Sequence, residues 1–137
     1  MITNYVNFTN PAPNTTNTIE LVDTGSARLI FTSTTTGFPV ARGGVEQTNA
    51  VTTISLCNTG TPNLSDETVN SVVVDIYFVK KGKVPVAGNK VVSSLTVPAG
   101  ETVFFSEERM VLDGGDMIYV EVDTSDLIAV SVSTLPV

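Results

Sequence analysis

Histidine and tryptophan are both missing from this chain of 137 residues, and it holds one cysteine, Cys57. Without His, the usual general base, the commonest metal ligand and the partner of a Ser or Cys nucleophile are lost together, which removes most hydrolase mechanisms. A lone cysteine closes no intrachain disulfide. With no imidazole to activate its thiol, Cys57 in Thr53-Ile54-Ser55-Leu56-Cys57 reads as a small buried hydrophobe. The lack of Trp weakens any carbohydrate-stacking platform. Long apolar runs are missing as well: Ser71–Val79 is among the longest and falls far below the roughly 20 residues that span a bilayer.

Charge is scarce and one-sided. Charged residues make up 15% of the chain, against roughly 25% in ordinary soluble domains, and Thr, Ser and Asn take their place. Threonine is β-branched and suits a pleated, half-wet surface, so this exchange favours strands over helices. Fourteen acidic against seven basic residues give a net charge of −7, which repels nucleic-acid phosphates and anionic membranes, so neither is an expected partner. The start, Met1-Ile2-Thr3-Asn4-Tyr5, lacks the basic and apolar regions of a secretory signal. Use without export by that route is expected, and the sequons at Asn7, Asn14 and Asn63 are then without consequence.

The length matches one domain able to bury its own core. Residues 1–16 contain Pro11 and Pro13, several asparagines and no charge, with Tyr5, Val6 and Phe8 scattered among them. They read as an extended N-terminal arm, expected to order on a neighbouring subunit, with a disordered end as the other reading, followed by a single sandwich domain over 17–137. From Thr18 onward, β-branched stretches are interrupted every 8 to 15 residues by Gly, Pro, Asn or Asp, the punctuation of an all-β, antiparallel sandwich of immunoglobulin-like or jelly-roll type. About eight strands are expected: Thr18–Val22, Ala27–Thr34, Ala50–Asn58, Ser71–Lys80, Lys90–Val97, Thr102–Glu107, Met117–Val122 and Ile128–Thr134.

Alternation assigns faces along these strands. Ala50, Thr52, Ile54 and Leu56 form the more apolar set of their strand and are expected inside. Val72, Val74, Ile76 and Phe78 are uniformly apolar, whereas Val73, Asp75, Tyr77 and Val79 carry a charge and a phenol, so this strand is the best candidate for a central one. Asp123-Thr124-Ser125-Asp126 reads as a hairpin turn between the last two strands. Lys80-Lys81-Gly82-Lys83 opens a long basic loop, expected to be solvated, with contact to acidic groups of a neighbouring subunit as the other reading.

The candidate chemistry is thin. No glycine-rich phosphate loop opens a helix, and no nucleotide fingerprint occurs. Glu107-Glu108 is a pair of carboxylates, but neighbours on a strand point to opposite faces and do not converge on one glycosidic bond. Asp113, Asp116, Glu121, Asp123 and Asp126 would suit a hard cation such as Ca²⁺ if they clustered. Their spacing is not that of an EF-hand, and Asp113-Gly114-Gly115-Asp116 reads first as a turn. Catalytic, cofactor-binding and metal residues are therefore all expected to be none.

Several segments do carry a resemblance. Val97-Pro98-Ala99-Gly100-Glu101-Thr102, Leu112-Asp113-Gly114-Gly115-Asp116 and the final Ala129-Val130-Ser131-Val132-Ser133 resemble the Pro-Ala-Gly-x-Thr turn, the Leu-x-x-Gly-Asp turn and the last strand of small structural virion proteins of tailed bacteriophages, those of cyanophages most of all. Val72–Val79 looks like the central strand of the same pattern, so the resemblance runs from about Ala50 to the end. It implies an immunoglobulin-like sandwich and a non-enzymatic virion component of the neck, tail or capsid surface, where it would serve as decoration or cement. Such a component works in several copies, its partners being other virion proteins and copies of itself. The competing expectation is a receptor- or glycan-binding module of a fibre or cell surface, which exposed aromatics in the loops would favour. A metal-assisted enzyme built on the acidic turn is the third.

Overall fold

The computed structural model describes residues 27–105, 110–124 and 127–137, together with the backbone of 2–7. The expected strand at Thr18–Val22, the carboxylates of Glu107 and Glu108 and residue Asp126 lie outside the described residues. Among the described residues nine strands are present: β1 (Ile2–Asn7), β2 (Arg28–Thr32), β3 (Asn49–Asn58), β4 (Val72–Val79), β5 (Lys90–Val97), β6 (Thr102–Phe105), β7 (Met110–Leu112), β8 (Met117–Val122) and β9 (Ile128–Pro136). Apart from two 3₁₀ turns, Val40–Arg42 and Ala87–Asn89, the described residues hold no helix, and none is long and apolar enough to cross a membrane.

The strands form two antiparallel sheets, an all-β sandwich as the residue pattern predicts. The five-stranded sheet runs β1-β9-β3-β6, with β7 following β6 along the same edge of β3, and the four-stranded sheet runs β2-β8-β4-β5. Between them lies one core. Ile54, Leu56, Ile128, Val130 and Val132 from the first sheet meet Ile30, Phe31, Val72, Val74, Ile76, Ile118, Val120 and Val122 from the second, all 4% exposed or less. Burial of each such side chain is worth roughly 1.5–3 kcal/mol relative to water, which makes this layer the main source of stability.

The expected inward face of β4 is present over Val72, Val74 and Ile76, with Val73 and Asp75 half-buried on the other side. That of β3 is only half right. Val51 pairs with Thr134 but Thr53 with Ser133, so Thr52 is an extra residue, and its Oγ1 donates to the Ser133 carbonyl at 3.1 Å. A bulge shifts the phase of a strand by one. Before it Asn49 and Val51 point inward, after it Ile54, Leu56 and Asn58 do, and Ala50 and Thr52 are not core residues. Cys57 consequently lies half-buried on the outward face beside Leu56, a correction to its reading as a buried hydrophobe.

Two further differences concern connections. Asp123 and Thr124 do not open a hairpin: β8 belongs to the four-stranded sheet and β9 to the other, so the segment carries the chain across the sandwich. Residues 2–7, read as arm, have a backbone that pairs antiparallel with the chain's own β9 as an edge strand. Edge pairing needs only backbone N–H and C=O groups, so the lack of an apolar period did not prevent it.

The turns quoted for the resemblance are the corners where the chain changes sheet. In Pro98–Glu101, Gly100 has φ 78° and the Glu101 N–H donates to the Pro98 carbonyl at 3.1 Å, and in Asp113–Asp116, Gly115 has φ 90° and the Asp116 N–H donates to the Asp113 carbonyl at 3.0 Å. Both place glycine at the third turn position, where a Cβ would be strained. Buried asparagines close both ends of β3. Asn58 donates to the carbonyls of Asn70 and Val97, both at 2.8 Å, and accepts the Gly60 N–H at 2.8 Å, joining the sheets at one end. At the other end Asn49 donates to the Thr34 carbonyl at 3.1 Å and to Ser33 Oγ at 3.2 Å.

Candidate functional site

The acidic residues weighed as ligands for a hard cation are dispersed by the fold. Asp116, only 4% exposed, accepts the Asp113 N–H and the Lys80 ammonium on Oδ2, at 3.2 and 2.9 Å, and the Lys81 N–H on Oδ1 at 3.1 Å. Asp113 shares Lys80 at 3.4 Å. These pairings hold the Lys80 ammonium above its usual pKa, chiefly through Asp116. Glu121 lies instead on the outward face of β8, and Asp123 accepts the Val73 N–H at 2.8 Å. Among the described residues no three acidic, His or Cys side chains gather as ligands. The turn at Asp113–Asp116 is thus a corner fastened by its own hydrogen bonds, with a lysine as counter-ion.

The basic loop also turns back on its own chain. Lys80 meets Asp113 and Asp116, and Lys81 reaches both carboxylate oxygens of Glu46, at 2.6 and 2.8 Å. The acid-facing contact weighed for this loop is present, but its acids belong to the same molecule.

The outward face of the four-stranded sheet carries a compact polar group. Tyr77 and Tyr119 are cross-strand partners, as are Asp75 and Glu121. Tyr77 Oη donates to Glu121 Oε1 at 2.7 Å, Lys90 Nζ lies 3.3 Å from Asp75 Oδ2, and the same ammonium stands 5.6 Å from the centre of the Tyr77 ring. Opposite Asp75, β5 bulges: Ser94 takes a φ of 56° and its N–H donates to Asp75 Oδ1 at 2.6 Å. A non-glycine residue is costly at that φ, and the carboxylate holds it there. These groups pair with one another and leave no nucleophile beside a free base.

Burial pushes the Tyr77 phenol up to about 12, helped by its hydrogen bond to Glu121 and by the charges of Glu121 and Asp75. The phenol of the unfolded chain ionises near pH 10. Between pH 10 and 12 the unfolded state therefore gives up a proton that the folded state keeps, so the contribution is whole below pH 10 and lost as pH rises through 12. Urea midpoints measured from pH 9 to 12 are expected to fall more steeply in the wild type than in Tyr77→Phe. Parallel profiles would remove Tyr77 from the alkaline transition.

The outward face of the five-stranded sheet is of another kind. Its described side chains are Ala50, Thr53, Ser55 and Cys57 on β3, Ala129, Ser131, Ser133 and Leu135 on β9, Thr102 and Phe104 on β6 and Val111 on β7. None is charged. The segregation extends to whole strands: β1, β3, β6, β7 and β9 contain no Asp, Glu, Lys or Arg, whereas each strand of the four-stranded sheet carries one such residue, Arg28, Asp75, Lys90 and Glu121. In a chain of net charge −7, one broad face is thereby free of charge at every described position. Residue-by-residue reading did not find this surface, because its signal is the pooling of uncharged strands into one sheet.

A groove of about 340 Å³ opens at one corner, between Pro62, Leu64, Val69 and Pro98, with Glu67 and Glu101 at its rim. The described loops carry one aromatic side chain, the half-buried Phe38, so the exposed aromatic cluster that would mark a glycan-binding module is not among them.

The two sheets define a class of protein, the antiparallel β-sandwich. Comparison of the chain with protein-family models, with curated proteins and with solved structures finds no match.

Proposed function

We propose that this chain is a non-enzymatic structural subunit of a tailed-phage virion, an assembly module of the neck, tail or capsid surface that works in several copies. The observation that carries the reading is the outward face of the five-stranded sheet, uncharged at every described position. A surface without ions is joined to a neighbour at little desolvation cost, whereas burial of unpaired carboxylates would oppose contact. The corners at Pro98–Glu101 and Asp113–Asp116 support it from another side, since they are the turns by which the chain resembles small virion proteins. The titratable groups described above spend their hydrogen bonds on the fold, which accords with a role in building rather than in catalysis.

Mass spectrometry of density-purified particles is the test. The chain is expected as a stoichiometric component, in a fixed ratio to the major capsid protein, that survives high-salt washing. Recovery only from the unassembled lysate fraction would overturn the proposal.

A further inference from the structure

We infer that the outward face of the five-stranded sheet is the docking surface for a second copy of this chain, an inference that rests on the assembly reading and deepens it. The face has a relief suited to its own copy. Register aligns its outward residues in rows: Leu135, Ala50 and Val111 across β9, β3 and β7, then Ser131, Ser55 and Phe104 across β9, β3 and β6, then Ala129, Cys57 and Thr102. The centre is floored by small side chains. Large apolar ones stand at its rim, Phe104 at 65% exposure, Val111 at 54% and Leu135 at 51%.

A face with a projection at one edge and a hollow at its middle complements itself about a two-fold axis that lies in the plane of the contact. Phe104 of each copy then lies over the serines of the other, and the same patch serves both sides, as an isologous interface requires. Sheets pack face to face in this way at about 10 Å, most closely where side chains are small.

Charge chooses the occupant. A basic partner would be drawn to the carboxylates of the loops and of the four-stranded sheet, and the described positions of this face offer it no charge. Two copies of an acidic chain repel each other, and the repulsion at contact is least where neither presents a charge. Size is adequate: four strand widths of roughly 4.8 Å and a β3 length of roughly 30 Å give on the order of 500 Å² per copy, about the 1,000 Å² total at which specific interfaces begin.

Sedimentation velocity of the full chain over a concentration series tests the inference. The wild type is expected to form a dimer or a higher even assembly. Ser55→Glu, which sets like charges against each other at the centre of the contact, is expected to weaken association about a hundredfold while retaining a cooperative melting transition. Thr96→Glu, on an exposed position of β5, should leave association unchanged. Phe104→Ser is the second variant should Ser55→Glu fail to fold, and it should dissociate the assembly as well.

A wild type that stays monomeric at every concentration overturns the inference. So does association that survives both Ser55→Glu and Phe104→Ser, which would move the contact to another surface and leave the assembly reading standing. Conversely, a dimer broken by Ser55→Glu whose chain is missing from purified particles would sink the virion reading and keep this interface.

Discussion

Val74→Asp is expected to yield insoluble or unfolded protein, and Val73→Asp a folded one. Val74 is fully buried between the sheets, packed among Val72, Ile76, Val120 and Val122, none of which offers a hydrogen bond to a carboxylate. An unpaired charge there costs several kcal/mol, a large part of a total stability of roughly 5–15 kcal/mol. Val73 lies half-buried on the outward face, two residues from Asp75, which already places a carboxylate on that side. Its substitution should cost about 1 kcal/mol or less, as surface changes usually do. Soluble yield and urea midpoint of the two isolated variants provide the measurement. Equal losses would show that both faces of β4 are covered, and the sandwich as described would have to be redrawn.

The second large effect is expected at Asp116. Asp116→Ala removes the acceptor of two backbone N–H groups, those of Asp113 and Lys81, inside a corner where the side chain is 5% exposed. Leaving buried donors unpaired costs about 1–3 kcal/mol each, so a loss of roughly 2–4 kcal/mol is expected after partial relaxation. Lys80→Ala removes the counter-ion, but that side chain is 69% exposed, and exposed pairs are worth about 0–1 kcal/mol. Asp116→Asn, which keeps an acceptor oxygen, should fall between the two. Denaturant midpoints of the three variants rank the terms. If Lys80→Ala proved as damaging as Asp116→Ala, the ion pair and not the backbone hydrogen bonds would hold the corner.

How far the residues reveal the structure varies from element to element. The strand β4 is legible because Val72, Val74 and Ile76 alternate with Val73 and Asp75, a period of two that few other conformations satisfy. The turns at Gly100 and Gly115 are legible because a positive φ selects glycine. The strand β7 was missed because Met110-Val111-Leu112 is too short to show a period. The phase of β3 was misread before Thr52, since a bulge inserts one residue without changing the polarity of the segment. The reading of Cys57 as buried came instead from its chemistry as a lone cysteine, whereas the alternation of Ile54 and Leu56 already turns it outward.

Composition and local pattern by themselves determined that this chain is built of strands, that its turns fall at Pro98–Glu101 and Asp113–Asp116, and that long stretches lack charge. Those properties depend on single residues and near neighbours: side-chain branching, backbone freedom, ionisation. Which strands lie side by side was decided only in the tertiary structure. Backbone ladders bond alike whatever the side chains, so nothing local distinguishes a hairpin from a crossing at Asp123–Thr124, or shows that β3 lies between β9 and the collinear β6 and β7. The uncharged face belongs to that second kind of fact. Its residues come from segments as distant in sequence as Ala50 and Leu135, and they become one surface only because long-range pairing sets them in adjacent rows.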